Sequence, residues 1–426
     1  MNKGIVRYVL GRMMLVEAGL LVFPLIVGLI YGESFRTVGS FLLTIGILMA
    51  LGVLTGLKRP KSMRFYTKEG LVIAALSWFI LSVFGGLPFL FSGEITTFAD
   101  ALFETVSGFS TTGASILTDV EAMSRSLLFW RSFTHLIGGM GVLVLALAIL
   151  PATSSESVHI MKAEVPGPTF GKLVSKLKDT ARILYIIYLS MTAVLIVLLM
   201  LGGMDWFDAS VHAFGAAGTG GFGIKATSVL YYNSAYIDIV LGIAMLVFGV
   251  NFYVYYLILI RQAGKAVKNE ELRWYLAIVF AAVVLICLDL FRQYGSVPRM
   301  IRDVFFSVSS VITTTGYSTA DFGSWPLLSQ CILLLLMFFG ACAGSTSGGI
   351  KLLRVLLLFK QGQREIMRLI HPQAQILVKL GTREVSERVI DAVWGYFATY
   401  VGLFAIMLLL LVALGLDQVT AFSALA

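Results

Sequence analysis

Charge is what this sequence has least of. Only 13% of its 426 residues are Asp, Glu, Lys or Arg, against 58% hydrophobic. A water-soluble domain needs a polar surface, so this balance excludes one and points to a polytopic membrane protein. Cysteine is nearly absent: Cys287, Cys331 and Cys342 lie in or beside apolar runs. An odd, buried set of this kind is neither a disulfide framework nor a metal site. The four histidines, His135, His159, His212 and His371, show no paired or HExxH spacing, which excludes a zinc hydrolase and leaves them as packed or surface residues. No Gly-x-Ser-x-Gly elbow occurs, so the chain is read as a non-enzyme.

What is present is apolar length. Runs recur at 13–31, 41–57, 71–91, 127–150, 183–201, 236–260, 274–290, 327–339 and 389–414. A helix needs about 20 apolar residues to cross the ~30 Å hydrocarbon layer, so these runs predict nine crossings, the eighth continuing with an interruption towards Phe359. The net charge of +8 is no sign of nucleic acid. With the N-terminus inside, most of the 32 Lys and Arg fall in the cytoplasmic segments 1–12, 58–68, 151–182, 261–273 and 351–388, which is the positive-inside bias. Lys3, Arg7 and Arg12 precede the first run as they would in a signal peptide. No small-residue cleavage site closes it, so it is kept as a mature helix.

Between the long runs lie three short segments that match in register. Asp100 opens "DALFETVSGFSTTGAS", Asp208 opens "DASVHAFGAAGTGGFG" and Asp303 opens "DVFFSVSSVITTTGYS". Eleven residues after the Asp stand Thr111, Thr219 and Thr314; thirteen after it, Gly113, Gly221 and Gly316; seven after it, the small residues Ser107, Gly215 and Ser310. This is an internal repeat of crossing, short segment, crossing. Asp is a good N-cap and suits the positive end of a helix. About ten helical residues rise roughly 15 Å, half the hydrocarbon thickness, so each short helix is expected to stop near the midplane with its negative end towards a cation. The Thr and Gly strip then turns back in extended form. Such backbone is tolerated at that depth only where it is buried in protein or lines a wet cavity. Carbonyl and hydroxyl oxygens of Thr111, Thr112 and Gly113, of Thr219, Gly220 and Gly221, and of Thr314, Thr315 and Gly316 are the candidate ligands for a dehydrated ion. "DQVTAFSALA", from Asp417, begins a fourth such unit whose expected glycine falls beyond Ala426, so the chain is read as a truncated form of a longer one.

A second glycine-rich stretch, "GACAGSTSGGIK", interrupts the eighth run. Ala343, Gly344, Ser345, Thr346, Ser347, Gly348 and Gly349 disfavour helix, and with Lys351 they are expected to form an intramembrane loop that plugs the pathway. It is not a phosphate loop, because Leu352 follows Lys351 and no strand precedes it. "GAAGTGGFG", residues 215–223, likewise follows no strand and is no dinucleotide fingerprint. Glu17 and Arg131 are costly in lipid and face protein; Glu17 is expected to pair with a neighbouring helix, and Glu104 is a candidate partner for Arg131 that the sequence alone does not establish.

Repeats of crossing, half-helix, Thr-x-Gly strip and crossing resemble the Trk/Ktr/HKT superfamily of potassium uptake proteins, and within it the TrkH/TrkG type. Potassium channels carry four TVGYG loops, and each strip here keeps the central glycine. The extra helices before the first repeat fit the same type, and residues 340–351 are similar to its gate loop. The resemblance covers essentially the whole chain, short of a fourth strip and the helix after it. It implies an all-α polytopic membrane protein whose repeats surround a pseudo-fourfold pore, the fourth unit incomplete. The expected division is 1–65 for an amino-terminal hairpin, 66–182, 183–271 and 272–388 for pore repeats 1 to 3, and 389–426 for repeat 4. It also implies K+ as the transported ion with no organic cofactor, a homodimer in the bacterial inner membrane, and a cytosolic TrkA-type nucleotide-binding regulator as partner. The rival reading is a sodium-coupled secondary carrier with discontinuous helices. That class predicts inverted repeats and specific polar side chains, whereas these repeats run in one orientation and carry mainly Thr, Ser and Gly.

Overall fold

The computed structural model describes residues 2–58, 60, 67–141, 177–374, 376–381 and 383–425. They are helical apart from loops and one short hairpin, Lys379–Leu380 paired antiparallel with Arg383–Glu384. Six helices are long and apolar enough to cross a membrane: Lys3–Ile30, bent at Leu21, then Phe35–Gly56, Lys68–Ser92, Ala181–Leu201, Glu270–Leu290 and Glu387–Ala413. Ala235–Phe248 and Phe252–Leu259 form a seventh if taken as one broken span. Of the nine expected crossings, Leu327–Phe339 is a helix of 13 residues, about 20 Å long and too short to cross unaided. Arg125–Gly139 is the helix described in the fourth run; residues 142–150 of that run, and most of the basic segment 151–182, lie outside the described residues. Apolar side chains such as Phe79, Phe280 and Leu288 are exposed on these helices, as a surrounding of lipid requires.

The chain gathers into two compact units. Among the described residues, one contains those up to Phe248 together with Thr315–Thr319; the other runs from Gly249 to Thr314 and onward from Ala320. In the first unit the opening helix lies against Phe35–Gly56 at backbone contact. A Cβ on Gly11 would fall 2.5 Å from the Gly56 amide nitrogen, an approach open only to small residues. Arg125–Gly139 is buried nearly throughout and runs between two short helices, Phe98–Phe109 and Trp206–Gly218. Gly138 abuts the Phe109 carbonyl and Gly139 abuts Gly218. In the second unit Leu357, Val378, Ile390 and Val393 form a small core, and Glu270 accepts from Lys360 at 2.5 Å and from the Gly381 N–H at 2.6 Å.

The three short helices span 12, 13 and 16 residues, as Phe98–Phe109, Trp206–Gly218 and Val297–Ile312. The aligned aspartates are not their N-caps. Thr97 and Asp205, three residues earlier, accept from the Asp100 and Asp208 N–H groups at 3.1 and 2.7 Å. Asp100 and Asp208 occupy the first turn, where a carboxylate still complements the helix dipole. The third helix starts a turn earlier again, with Pro298 in its first turn, which leaves Asp303 inside the helix. Asp417 does cap, accepting from the Thr420 N–H at 3.0 Å. By role it therefore corresponds to Thr97 and Asp205, three positions away from the alignment on Asp.

Candidate functional site: three Thr-Gly strips and a pinned loop

Each short helix ends on a threonine in the left-handed region: Thr111 at φ +56°, Thr219 at +54° and Thr314 at +57°. Two residues on, Gly113, Gly221 and Gly316 are left-handed again, at +76°, +74° and +85°. The first two endings are Schellman-like. The Thr112 N–H reaches back to the Ser107 carbonyl and the Gly220 N–H to the Gly215 carbonyl, both at 2.9 Å. Thr111 and Thr219 thus take the position usually given to glycine. The small residue seven after the Asp supplies the carbonyl that closes the cap. A left-handed β-branched residue costs on the order of 1–2 kcal/mol. Alternating the hand at every second residue turns each peptide back, so successive carbonyls can share one side of the strip.

The strips lie edge to edge. A Cβ on Gly113 would run into the Gly220 carbonyl, and one on Gly221 into the Thr315 carbonyl. A Cβ on Gly316 would meet none of the described residues within 4 Å. Thr112 and Gly316 are exposed, while Thr219, Gly220 and Thr315 are buried. The Thr219 hydroxyl donates to the Gly218 carbonyl at 2.7 Å and that of Thr314 to the Thr313 carbonyl at 2.6 Å.

Behind the first two strips Arg131 and Glu104 pair at 2.9 Å, fully buried, as the apolar context of both requires. Glu17 behaves differently from the expected pairing: it is wholly buried near Gly85, and neither carboxyl oxygen has a partner among the described residues. Where the first two loops leave the strips, Lys225 meets Glu121 at 2.7 Å, and its ammonium holds the Glu121 carboxyl below the usual carboxylate range.

The glycine-rich loop is tied at many points rather than loose. Ala343 N–H donates to Glu271 Oε1 at 2.6 Å, Cys342 N–H to the Gly249 carbonyl at 3.0 Å, and Gly348 N–H to the Thr314 hydroxyl at 2.7 Å. The Gly344 carbonyl accepts from Phe252 N–H at 3.1 Å. Gly344 and Gly349 are left-handed, as is Lys351, whose ammonium turns back onto the Ser345 and Ser347 carbonyls. Ala343, Thr346, Ser347 and Lys351 are buried, Ser345 is half-buried and Gly348 exposed. Glu271, Gly249 and Asn251 escaped the sequence reading, because nothing in their spacing separates them from ordinary helix ends.

Fold and strips together define a helical, multi-pass membrane protein with paired left-handed Thr and Gly positions at three helix ends. The TrkH family of cation transport proteins matches residues 39–426. Over 421 residues the chain is 36% identical to the Trk system potassium uptake protein TrkH of Escherichia coli K12, covering 97% of this chain and 87% of that one. It is also 36% identical to the TrkG protein of the same organism over 409 residues, 95% and 84% of the two chains. The crystal structure of the potassium transporter TrkH from Vibrio parahaemolyticus superposes with a TM-score of 0.89 at 31% identity, covering all of this chain and 89% of that one. The chain belongs to the TrkH family, a family of cation transport proteins and not of enzymes.

Proposed function

We propose that this protein carries potassium across the bacterial inner membrane, with the oxygens of Thr111–Gly113, Thr219–Gly221 and Thr314–Gly316 as the selectivity filter. The reading rests on one observation: three chain segments far apart in sequence repeat the same left-handed Thr and Gly pair, and neighbouring strips touch at their glycines. Loops of water-soluble contacts have no reason to repeat such strained backbone, whereas ion coordination by carbonyls does. The names of the relatives supply the ion. In this reading the 343–349 loop with Lys351 is the gate, the N-terminus is cytoplasmic, and the working assembly is a dimer with a cytosolic TrkA-type regulator.

The test is growth rescue at low potassium in a bacterium lacking its own uptake systems. Gly316→Asp is expected to abolish rescue, because it puts a side chain on a left-handed position in the filter. Gly316→Ser is expected to lower the Rb⁺/Na⁺ uptake ratio. Normal rescue by the Asp variant would falsify the filter assignment.

A further inference from the structure

The residues just beyond the three strips are joined to one another behind them. Glu104 Oε1 accepts from the Ser115 hydroxyl at 2.5 Å and from the Ile116 N–H at 2.8 Å, two and three residues past Gly113. Its other oxygen holds Arg131. Arg131 Nη1 donates to the Gly223 carbonyl at 3.1 Å, and its guanidinium carbon stands 3.5 Å from the Phe222 ring centre. His135, one turn further along the same helix, stacks on Phe222 at 4.1 Å with the planes 17° apart. Two groups that close to one ring centre cannot share a face. Phe222 is therefore inserted between Arg131 and His135, which are spaced i, i+4 and so project from the same face of their helix. The third strip joins through Tyr317, whose hydroxyl lies 3.1 Å from both the Phe222 and the His212 carbonyls. Phe222 and Tyr317 each follow the filter glycine of their strip directly.

We infer that Arg131, Phe222 and Tyr317 form a cuff that sets the spacing of the three strips and thereby the preference for a larger over a smaller monovalent cation. These are positioning residues: they reach the ion only through the carbonyls they hold. The inference rests on the filter reading above. Glu104, Arg131, Phe222 and Tyr317 are buried, so the links among them work at low dielectric, where hydrogen bonds and the cation–ring contact are strongest; Ser115, at the outer end, is exposed. In the chain Ser115–Glu104–Arg131–Phe222–Tyr317 each inner member is held on two sides: Glu104 by Ser115 and Arg131, Arg131 by Glu104 and the Gly223 carbonyl, Phe222 by its ring and its own carbonyl. Removing one link leaves the strips present and loosens their separation.

Tyr317→Phe is the sharpest probe, since it deletes the hydroxyl on two carbonyls and keeps the ring. Phe222→Leu removes the inserted ring. Both are expressed in the potassium-uptake-deficient host, with membrane content measured and Gly316→Ser run alongside. The Rb⁺/Na⁺ uptake ratio is expected to fall roughly fivefold in Tyr317→Phe, the factor attached to about one hydrogen bond, and further in Phe222→Leu. A merely structural role would lower uptake of both cations together and leave the ratio unchanged. An unchanged ratio in Tyr317→Phe, with Gly316→Ser shifted, overturns the cuff and spares the filter. If neither variant moves the ratio, both fall.

Discussion

At the scale of single residues, glycines that look alike in the sequence have different duties. Gly221 and Gly223 stand two apart in the same loop. A methyl on Gly221 would enter the Thr315 carbonyl and the residue is left-handed, whereas a methyl on Gly223 would meet none of the described residues within 4 Å. Backbone cannot yield as a side-chain end can, so Gly221→Ala and Gly113→Ala are expected to remove measurable Rb⁺ uptake while Gly223→Ala retains most of it. Equal loss in all three would mean that loop flexibility, and not the contact between strips, is what the glycines provide. Much of this was legible beforehand. The Thr and Gly positions came from register alone, because a backbone that must repeat its left-handed turns forces the residue types to repeat. Phe222, Tyr317 and His135 were not legible as partners, since one aromatic among 30 phenylalanines and 16 tyrosines carries no pattern. The position after the left-handed glycine of each strip was the available signal, and only two of the three strips place an aromatic there.

Among elements, the short helices were readable in number and place, but their starts were not. Asp at a helix start is equally at home as cap or in the first turn, so alignment on Asp100 and Asp208 displaced the caps by three residues. The interrupted eighth run shows a different limit. Its composition predicted a non-helical loop but not what holds it: groups from distant segments pin it, and such partners are invisible to local propensity. Glu271 is the anchor best placed to test gating, because it accepts the Ala343 N–H from outside the loop. Glu271→Ala strands a buried donor at a cost of about 1–3 kcal/mol, which shifts a pinned-to-released equilibrium roughly 5- to 150-fold. Resting Rb⁺ leak into proteoliposomes is expected to rise in Glu271→Ala, and to stay near the parent value in Glu271→Gln, whose amide oxygen still accepts. A lower or unchanged leak in Glu271→Ala would remove the loop from the gating pathway.

For the molecule as a whole, insertion is governed by where its cations lie. Most of the Lys and Arg sit in segments that the order of crossings assigns to one side, and carrying even one across the hydrocarbon centre costs a few kcal/mol on insertion scales. Several are also committed on that side: Lys360 pairs with Glu270 at 2.5 Å and Arg364 with Glu387 at 2.5 Å. Both pairs tie the helix after the loop to neighbouring segments of the same face. The strips, by contrast, follow short helices entered from Thr97, Asp205 and Ser296, on loops with few Lys and Arg. Orientation is therefore open to a direct check by labelling with a membrane-impermeant maleimide in intact cells, using the parent chain with its own three cysteines as the background. Exposed Asp119 and Gln293, changed singly to Cys, are expected to label from outside. Exposed Gln262 and Gln373, changed in the same way, are expected to label only after the membrane is permeabilised. The reverse pattern would put the helix starts on the cytoplasmic side and overturn the cytoplasmic placement of the N-terminus.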